Sequence, residues 1–531
     1  MKVKNYSTED NQIRLTRYRK KGLLRVLFSR MMLIGILVVL QALILAFILV
    51  IFTEFATEYT VMMRIFVFFM VIYLFNSDMD SSAKLTWLML ISIFPIPGST
   101  FFFFTQTEVG HRNLKKRMIG IMKNTKNAIK MDENVYNELE QESLGVSELC
   151  NYVNKTGCFP IFKNSSVDYY PSGEEFFVAL EEELKKAEKF IFIEYFIIAE
   201  GYMWGRVLKT LVDKAKEGVE VRVMYDGMCE MKLLPHDYTD RLRQLGIQAK
   251  KFAPIRPFIS TYYNYRDHRK VFVIDGKVAF GGGVNLADEY INKIERFGYW
   301  KDTAVMVKGE AVKAYTLMFL QMWASDGSEL ELKNYLDDPE VVDITPDNNL
   351  GFVMPYSDIP LDDEKVGENV YMDVLNRATD YVHIMTPYLV LDDETLNVIK
   401  YTANRGVDVK IILPGIPDKK VAYSLAKTHY KSLLKSGVKL YEYTPGFVHA
   451  KNFVCDDKKA IVGSINLDYR SLYHHFECAT YMYKSPAVMD VEKDFQETLS
   501  KCKQVTFESV EKDKLYYKIV GGLVKTIAPL M

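Results

Sequence analysis

The sequence predicts N-terminal transmembrane helices followed by two duplicated α/β sandwich domains that close into one pseudo-symmetric catalytic unit. Three observations carry that expectation. A long apolar run stands near the start, strand-like and helix-like segments alternate from about residue 150, and matching stretches recur in the same order in both halves of the 531 residues. Hydrophobic residues make up 49% and charged residues 25%, which excludes disorder across the chain. The net charge of -1 supplies no global field for nucleic acid, so a nucleic-acid partner is not expected. The six cysteines are scattered, with no C-x-x-C and no histidine at ligand spacing. Buried free thiols are therefore expected rather than disulfides or a zinc site.

The N-terminal element comes first. Met31 to Phe52 is apolar except for Gln41. As a helix at about 1.5 Å per residue it covers roughly 33 Å, enough for a bilayer core. It starts too late and runs too long for a signal peptide. Two shorter apolar stretches follow. Val61 to Phe75 carries Arg64, and Leu85 to Phe104 is interrupted by Pro95, Pro97 and Gly98. Basic residues crowd the first thirty positions and return at His111, Arg112, Lys115, Lys116 and Arg117. Both flanks on the cytoplasmic side favour two crossings, with one of the later segments re-entrant. Residues 1–110 thus read as a multi-pass anchor in the cell membrane with cytoplasmic catalytic domains, and 111–150 as a connecting segment.

Next come the two α/β domains, read as 151–325 and 350–531 with an acidic, polar linker over 326–349. Phe190 to Ile198 reads as a buried strand, Met203 to Gly218 as a helix with a glycine stop, and the run to Asp226 as the next strand. The order returns with Val382 to Val390, Asp392 to Gly406 and VDVKIIL. The pieces AKEGVEVRVMYD and ANRGVDVKIILP, starting at Ala215 and Ala403, match closely. An internal duplication explains them. Elsewhere the helix from Glu174 to Glu188 reads as a packed amphipathic helix, and the lysine-rich stretch from Lys419 to Lys435 equally as a solvated helix face or as a recruiter of an anionic group.

The chemistry lies in two further copies. HRKVFVID holds His268, Lys270 and Asp275, and HAKNFVCD holds His449, Lys451 and Asp456. Each His is followed at the same offset by an asparagine, Asn285 or Asn466. On a strand, His and Lys two apart share a face. Asp275 is followed by Gly276 and suits a hairpin turn, a chiefly structural part. An imidazole with an ammonium suits a phosphate ester: one His attacks phosphorus or moves protons, and the Lys steadies oxygen charge. Two copies supply a nucleophile and a general acid on opposite sides of one phosphorus. Asp302 and Glu477, at comparable downstream positions, are the candidate partners for the second imidazole nitrogens.

These residues resemble bacterial cardiolipin synthases of the phospholipase D superfamily, over essentially the whole chain. The resemblance rests on the apolar N-terminus, YRDHRKVFVIDGKVAFGGGVNLADEY, GYWKDTAVMVKGEAV, RGVDVKIILPGIPDKK, YEYTPGFVHAKNFVCDDKKAIVGSINLDYRS and the closing KTIAPLM. It implies two phospholipase D-like domains and a phosphatidyl transfer from one phosphatidylglycerol to another through a phosphohistidine, giving cardiolipin and glycerol. By analogy His268 would be the nucleophile and His449 the acid/base, although the two motifs are nearly symmetric. Lys270, Lys451, Asn285 and Asn466 would hold the phosphate. The resemblance implies no metal and no cofactor, and phosphatidylglycerol and cardiolipin in the bilayer as partners. Water or ethanolamine as acceptor stays open, because acceptor choice lies in pocket shape. The chain departs from the usual pattern in Asp267 for Asn, Lys301 for Arg, and His474–His475 for a Leu-Asn-like pair. A carboxylate at 267 beside the nucleophile is expected to raise its pKa.

Overall fold

The computed structural model describes residues 7–9, 12–15, 43, 56–106, 112–254, 265–336 and 350–530. They fall into two units: 7–9, 12–15, 113–254, 265–336 and 350–525 form one, and 43, 56–106, 112 and 526–530 the other.

Two large sheets form the body of the larger unit. The first is built from β1 (Ser165–Tyr170), β2 (Phe190–Tyr195), β3 (Glu220–Asp226), β4 (Gln248–Phe252), β5 (Lys270–Ile274), β6 (Val278–Gly282) and β7 (Ala304–Gly309). Its strands lie in the order β1-β7-β6-β5-β2-β3-β4. The second is built from β8 (Phe352–Asp358), β9 (Tyr381–Met385), β10 (Asp408–Pro414), β11 (Lys439–Tyr443), β12 (Asn452–Cys455), β13 (Lys459–Gly463), β14 (His475–Tyr483) and β15 (Cys502–Gln504). Its order is β8-β14-β13-β12-β9-β10-β11-β15. Apart from β15 the two orders are the same, strand for strand. The duplication is thus a duplication of topology.

The local reasons are legible. All six residues of β2 are buried, as a strand covered on both faces requires, and β2 runs parallel to β3. The helix Tyr202–Glu217 turns an apolar face with Trp204, Leu208 and Leu211 to the core and stops at Gly218, whose φ of 96° is left-handed. Gly406, with φ 98°, follows the helix Asp393–Asn404 in the same way. The helix Val312–Trp323 is buried almost all round, and its Tyr315 hydroxyl meets Thr480 of β14 at 2.6 Å. The start of the chain joins this core: the hairpin Ser7–Glu9 and Gln12–Arg14 brings in Ile13 and Leu15, both buried.

The smaller unit contains the helices Ala56–Phe75, Ser81–Ile93 and Pro95–Gln106, around a core of Met70, Leu74, Trp87, Ile91 and Phe102. Asp80 caps the second helix, accepting from the N–H groups of Ser82 and Ala83.

The expected transmembrane helices are corrected here. Met31 to Phe52 lies outside the described residues, apart from Leu43. Among the described residues no helix is long and apolar enough to cross a membrane. The apolar part of Ala56–Phe75 starts only at Val61 and covers roughly 22 Å, against roughly 30 Å for a hydrocarbon core. The next run breaks at Pro95, which starts a new helix instead of continuing the old one. The pieces of 13 and 12 residues are each about 20 Å long.

The six cysteines are free, all buried but the half-buried Cys502.

Candidate active site

His268 stands just before β5 and Lys270 opens it; His449 and Lys451 stand just before β12. The backbone leading into each histidine pairs with the other half of the chain. Arg266–Asp267 runs parallel to His475–Phe476 at the head of β14, and Tyr299–Lys301 runs parallel to Gly446–Val448. The His268 N–H donates to the Phe476 carbonyl at 2.9 Å, and the His449 N–H to the Lys301 carbonyl at 2.7 Å. These two short ladders fix which carboxylate reaches which imidazole.

The acidic partners are exchanged between halves. Nδ1 of His268 lies 2.8 and 3.0 Å from the two carboxylate oxygens of Glu477. Nδ1 of His449 lies 2.7 Å from Oδ2 of Asp302. A carboxylate only accepts, so each Nδ1 carries the proton and each Nε2 is left for chemistry. Both carboxylates are held from behind. Ser464 Oγ donates to Glu477, and the Thr303 N–H donates to Asp302 at 2.9 Å. Gly283 stands in the first half where Ser464 stands in the second, and a Cβ there would come 2.1 Å from Oδ1 of Asp302. Only glycine leaves that carboxylate its place.

The two lysines close the charge balance. Lys270 and Lys451 each donate Nζ to the carbonyl of the histidine two residues back, and Nζ of Lys451 also lies 2.8 Å from Nδ1 of His449. Burial lowers Lys270 to about 8 and Lys451 to about 7, against the pull of Glu477 on the first and Asp302 on the second. Burial also holds His268 well below the usual imidazole range and lowers His449 to about 4. For Asp302 and Glu477 burial works upward, but the facing imidazoles and lysines outweigh it and both carboxyls stay low. Between about pH 4 and pH 7 the resting centre is therefore two carboxylates, two ammonium groups and two neutral imidazoles. Such a site has room in its electrostatics for one phosphodiester anion and the proton that follows it.

The other predicted residues lie around this centre. Asp275 accepts the N–H groups of Glu188, Lys189 and Phe190 at 2.8 Å each, which ties the β5–β6 turn to the start of β2. Asp456 does the same with Thr379, Asp380 and Tyr381 ahead of β9. Both carboxylates face backbone. Asn285 accepts the Ile197 N–H and donates to the Tyr290 hydroxyl. Asn466 donates to Ser471, and its side-chain oxygen has no partner.

Asp267 does not act on His268 as expected. Its buried carboxyl lies with that of Glu194 and accepts the Arg269 N–H at 3.3 Å; burial raises Glu194 well above, and Asp267 to about 6. His268 is instead pushed down, chiefly by its own burial, with Glu477 pulling upward and Lys270 and His475 adding to the fall.

Sequence reasoning missed the aromatic walls. Phe196 packs edge-on to His268 with ring centres 4.8 Å apart, and Tyr290, Trp300 and Phe447 surround His449. Their signal was weak, because aromatic residues are common throughout the chain.

Two halves of one strand order, each delivering a His–Lys pair to a shared centre, define the phospholipase D class of phosphodiester enzymes. A family profile described as "Cardiolipin synthase, PLD-like domain" matches residues 180–323 and 371–499. The chain is 31% identical over 477 residues to the cardiolipin synthase of Halalkalibacterium halodurans, covering 89% of this chain and 94% of that one. It is 33% identical over 452 residues to the cardiolipin synthase of Geobacillus sp. (strain WCH70), covering 84% and 88%. An uncharacterized protein of Streptococcus mutans is 55% identical over 467 residues, covering 87% and 99%. The chain belongs to the cardiolipin synthase family, phosphatidyltransferases of the phospholipase D type. Among solved structures, the crystal structure of phosphatidylserine synthase from Haemophilus influenzae Rd KW20 shares the fold, with a TM-score of 0.53, 17% identity, and 69% of this chain and 93% of that one covered.

Proposed function

We propose that the protein makes cardiolipin by transferring a phosphatidyl group from one phosphatidylglycerol to another. One observation carries the reading: each imidazole keeps its Nδ1 on a carboxylate of the other half, with a lysine beside it. Nε2 of His268 attacks phosphorus, a P–N bond forms, and the P–O bond to the glycerol headgroup breaks. His449, protonated as the anion enters, gives its proton to the departing oxygen. It then takes a proton from a hydroxyl of the second phosphatidylglycerol, whose oxygen attacks phosphorus while the P–N bond breaks. Lys270 and Lys451 hold the non-bridging oxygens throughout.

The catalytic unit works on lipid at the cytoplasmic face of the cell membrane. Supporting this, the smaller unit exposes Phe68, Phe69, Phe75 and Leu85, each at 60% or more. Large apolar side chains exposed together on one unit suit contact with lipid or protein.

The test is thin-layer analysis of purified, detergent-solubilised protein given labelled phosphatidylglycerol. Cardiolipin with free glycerol is expected. Phosphatidic acid alone would assign water as the acceptor, and no lipid product at all would reject the transfer.

A further inference from the structure

One histidine beside the centre has no part in the chemistry above. His475 is 8% exposed, and neither of its ring nitrogens has a hydrogen-bond partner. Its ring centre lies 5.2 Å from that of His268, and its Nδ1 is 3.7 Å from Oε1 of Glu477, too far for a hydrogen bond. One donor atom each from His268, His475 and Glu477 lie within 4.8 Å of one another. A buried imidazole with both nitrogens unpaired is costly unless something else satisfies it.

We infer that His268, His475 and Glu477 form a site for a zinc-class divalent ion, which shuts the enzyme by occupying its nucleophile. Two imidazoles and one carboxylate are the donor set of many open zinc sites, with a fourth position left for water. Bonds of about 2.1 Å to a common ion place tetrahedral ligands about 3.4 Å apart, so the three donors need only a small inward movement. On binding, the metal forms bonds to Nδ1 of His268, a ring nitrogen of His475 and a Glu477 oxygen. The proton that His268 holds on Nδ1 toward Glu477 passes to Nε2, so the ring stays neutral, the attacking nitrogen loses its free lone pair, and nothing is oxidised or reduced. Glu477 then no longer receives the charge that develops on His268 during attack. The second centre differs: among the described residues the only such groupings are this one and Glu368–Asp392–Glu394, and none includes His449. Inhibition is thus one-sided, confined to the half-site that His475 completes.

The inhibitory consequence rests on His268 being the nucleophile, whereas the binding site does not. The full-length protein in detergent is titrated with Co2+ and with Zn2+, and phosphatidyl transfer is measured across the same Zn2+ series. Wild type is expected to take up one ion, show the visible bands of low-coordinate cobalt, and lose activity about tenfold or more, with recovery on adding EDTA. His475→Asn is expected to bind zinc at least about tenfold more weakly, and its inhibition, scored against its own metal-free rate, moves to correspondingly higher zinc. His475→Gln serves if the asparagine variant folds poorly, and His474→Asn is the neighbour control, with unchanged affinity. Equal zinc affinity in wild type and both His475 variants overturns the site, as does equal weakening in His474→Asn. Zinc bound at full occupancy with transfer undiminished overturns the inhibition. If no protein makes lipid product, the proposed function fails, and the cobalt spectra and affinities still decide the site.

Discussion

At the scale of single residues, the exchanged carboxylates decide how the two histidines work. Glu477→Gln and Asp302→Asn keep the shape but remove the charge that holds Nδ1–H and offsets imidazolium. Each is expected to lower kcat by about 10²–10⁴-fold with little change in KM. The two lesions differ in what they leave behind. Given phosphatidylglycerol labelled in its phosphate, Asp302→Asn and His449→Ala should accumulate an acid-labile protein-bound label, because attack by His268 outruns release. His268→Ala should show none; label on His268→Ala protein would exchange the two roles. The lysines set the pH response. Burial lowers Lys451 to about 7, so its ammonium is present below that pH and lost as pH rises through it. kcat/KM, which reports the free enzyme, should fall on an alkaline limb with an apparent pKa near 7. Lys451→Arg, which stays charged, should move that limb upward while lowering the plateau; an unmoved limb would assign it to another group.

At the scale of elements, the aspartates of the two H-x-K-x4-D motifs act as ties between turn and strand. Asp275 gathers three N–H groups where β2 begins, and its own φ of 54° shows a turn that Asp tolerates. Asp275→Ala leaves those donors without their acceptor at a cost of about 1–3 kcal/mol. A thermal midpoint lower by about 2–4 °C or more is expected, with specific activity at 20 °C within about twofold of wild type. A large loss of activity without a stability change would make the carboxylate part of the chemistry instead. The short parallel ladders into His268 and His449 are the complementary element. They are only two or three residues long, yet they choose the partner of each imidazole.

At the scale of the whole molecule, neither half contains a complete proton relay. The first supplies His268 and the carboxylate for His449, and the second supplies the reverse. The proposed lipid contact is tested on the exposed apolar residues of the smaller unit. Replacing Phe68, Phe69 and Phe75 together with serine should reduce co-sedimentation with phosphatidylglycerol vesicles by about tenfold, while turnover of a short-chain soluble substrate stays near wild type. Equal sedimentation of the two proteins would remove these side chains from lipid contact.

Much of this was present in the chain as pattern. The repeat of AKEGVEVRVMYD and ANRGVDVKIILP predicts the shared strand order, because buried strands and their glycine stops are local properties. The spacing of His and Lys puts both on one face, and Asp302 and Glu477 are readable as carboxylates at matching offsets. Three things were not readable. Local hydropathy over 61–104 suggested spans, but Pro95 and the late start at Val61 divide the run into helices too short to cross. Asp267, as the neighbour of His268, was expected to raise its pKa, yet adjacent residues on extended backbone point to opposite faces, and the Asp267 carboxyl lies with that of Glu194. Above all, the exchange of Glu477 and Asp302 between halves depends on contacts between residues about 150 to 210 positions apart. By itself the sequence determined the residue types, their periodicity and their duplication, since these follow from local backbone geometry. Only the tertiary structure decided which carboxylate serves which histidine, and left His475 unpartnered beside the nucleophile, because long-range pairing is set by how the two sheets meet.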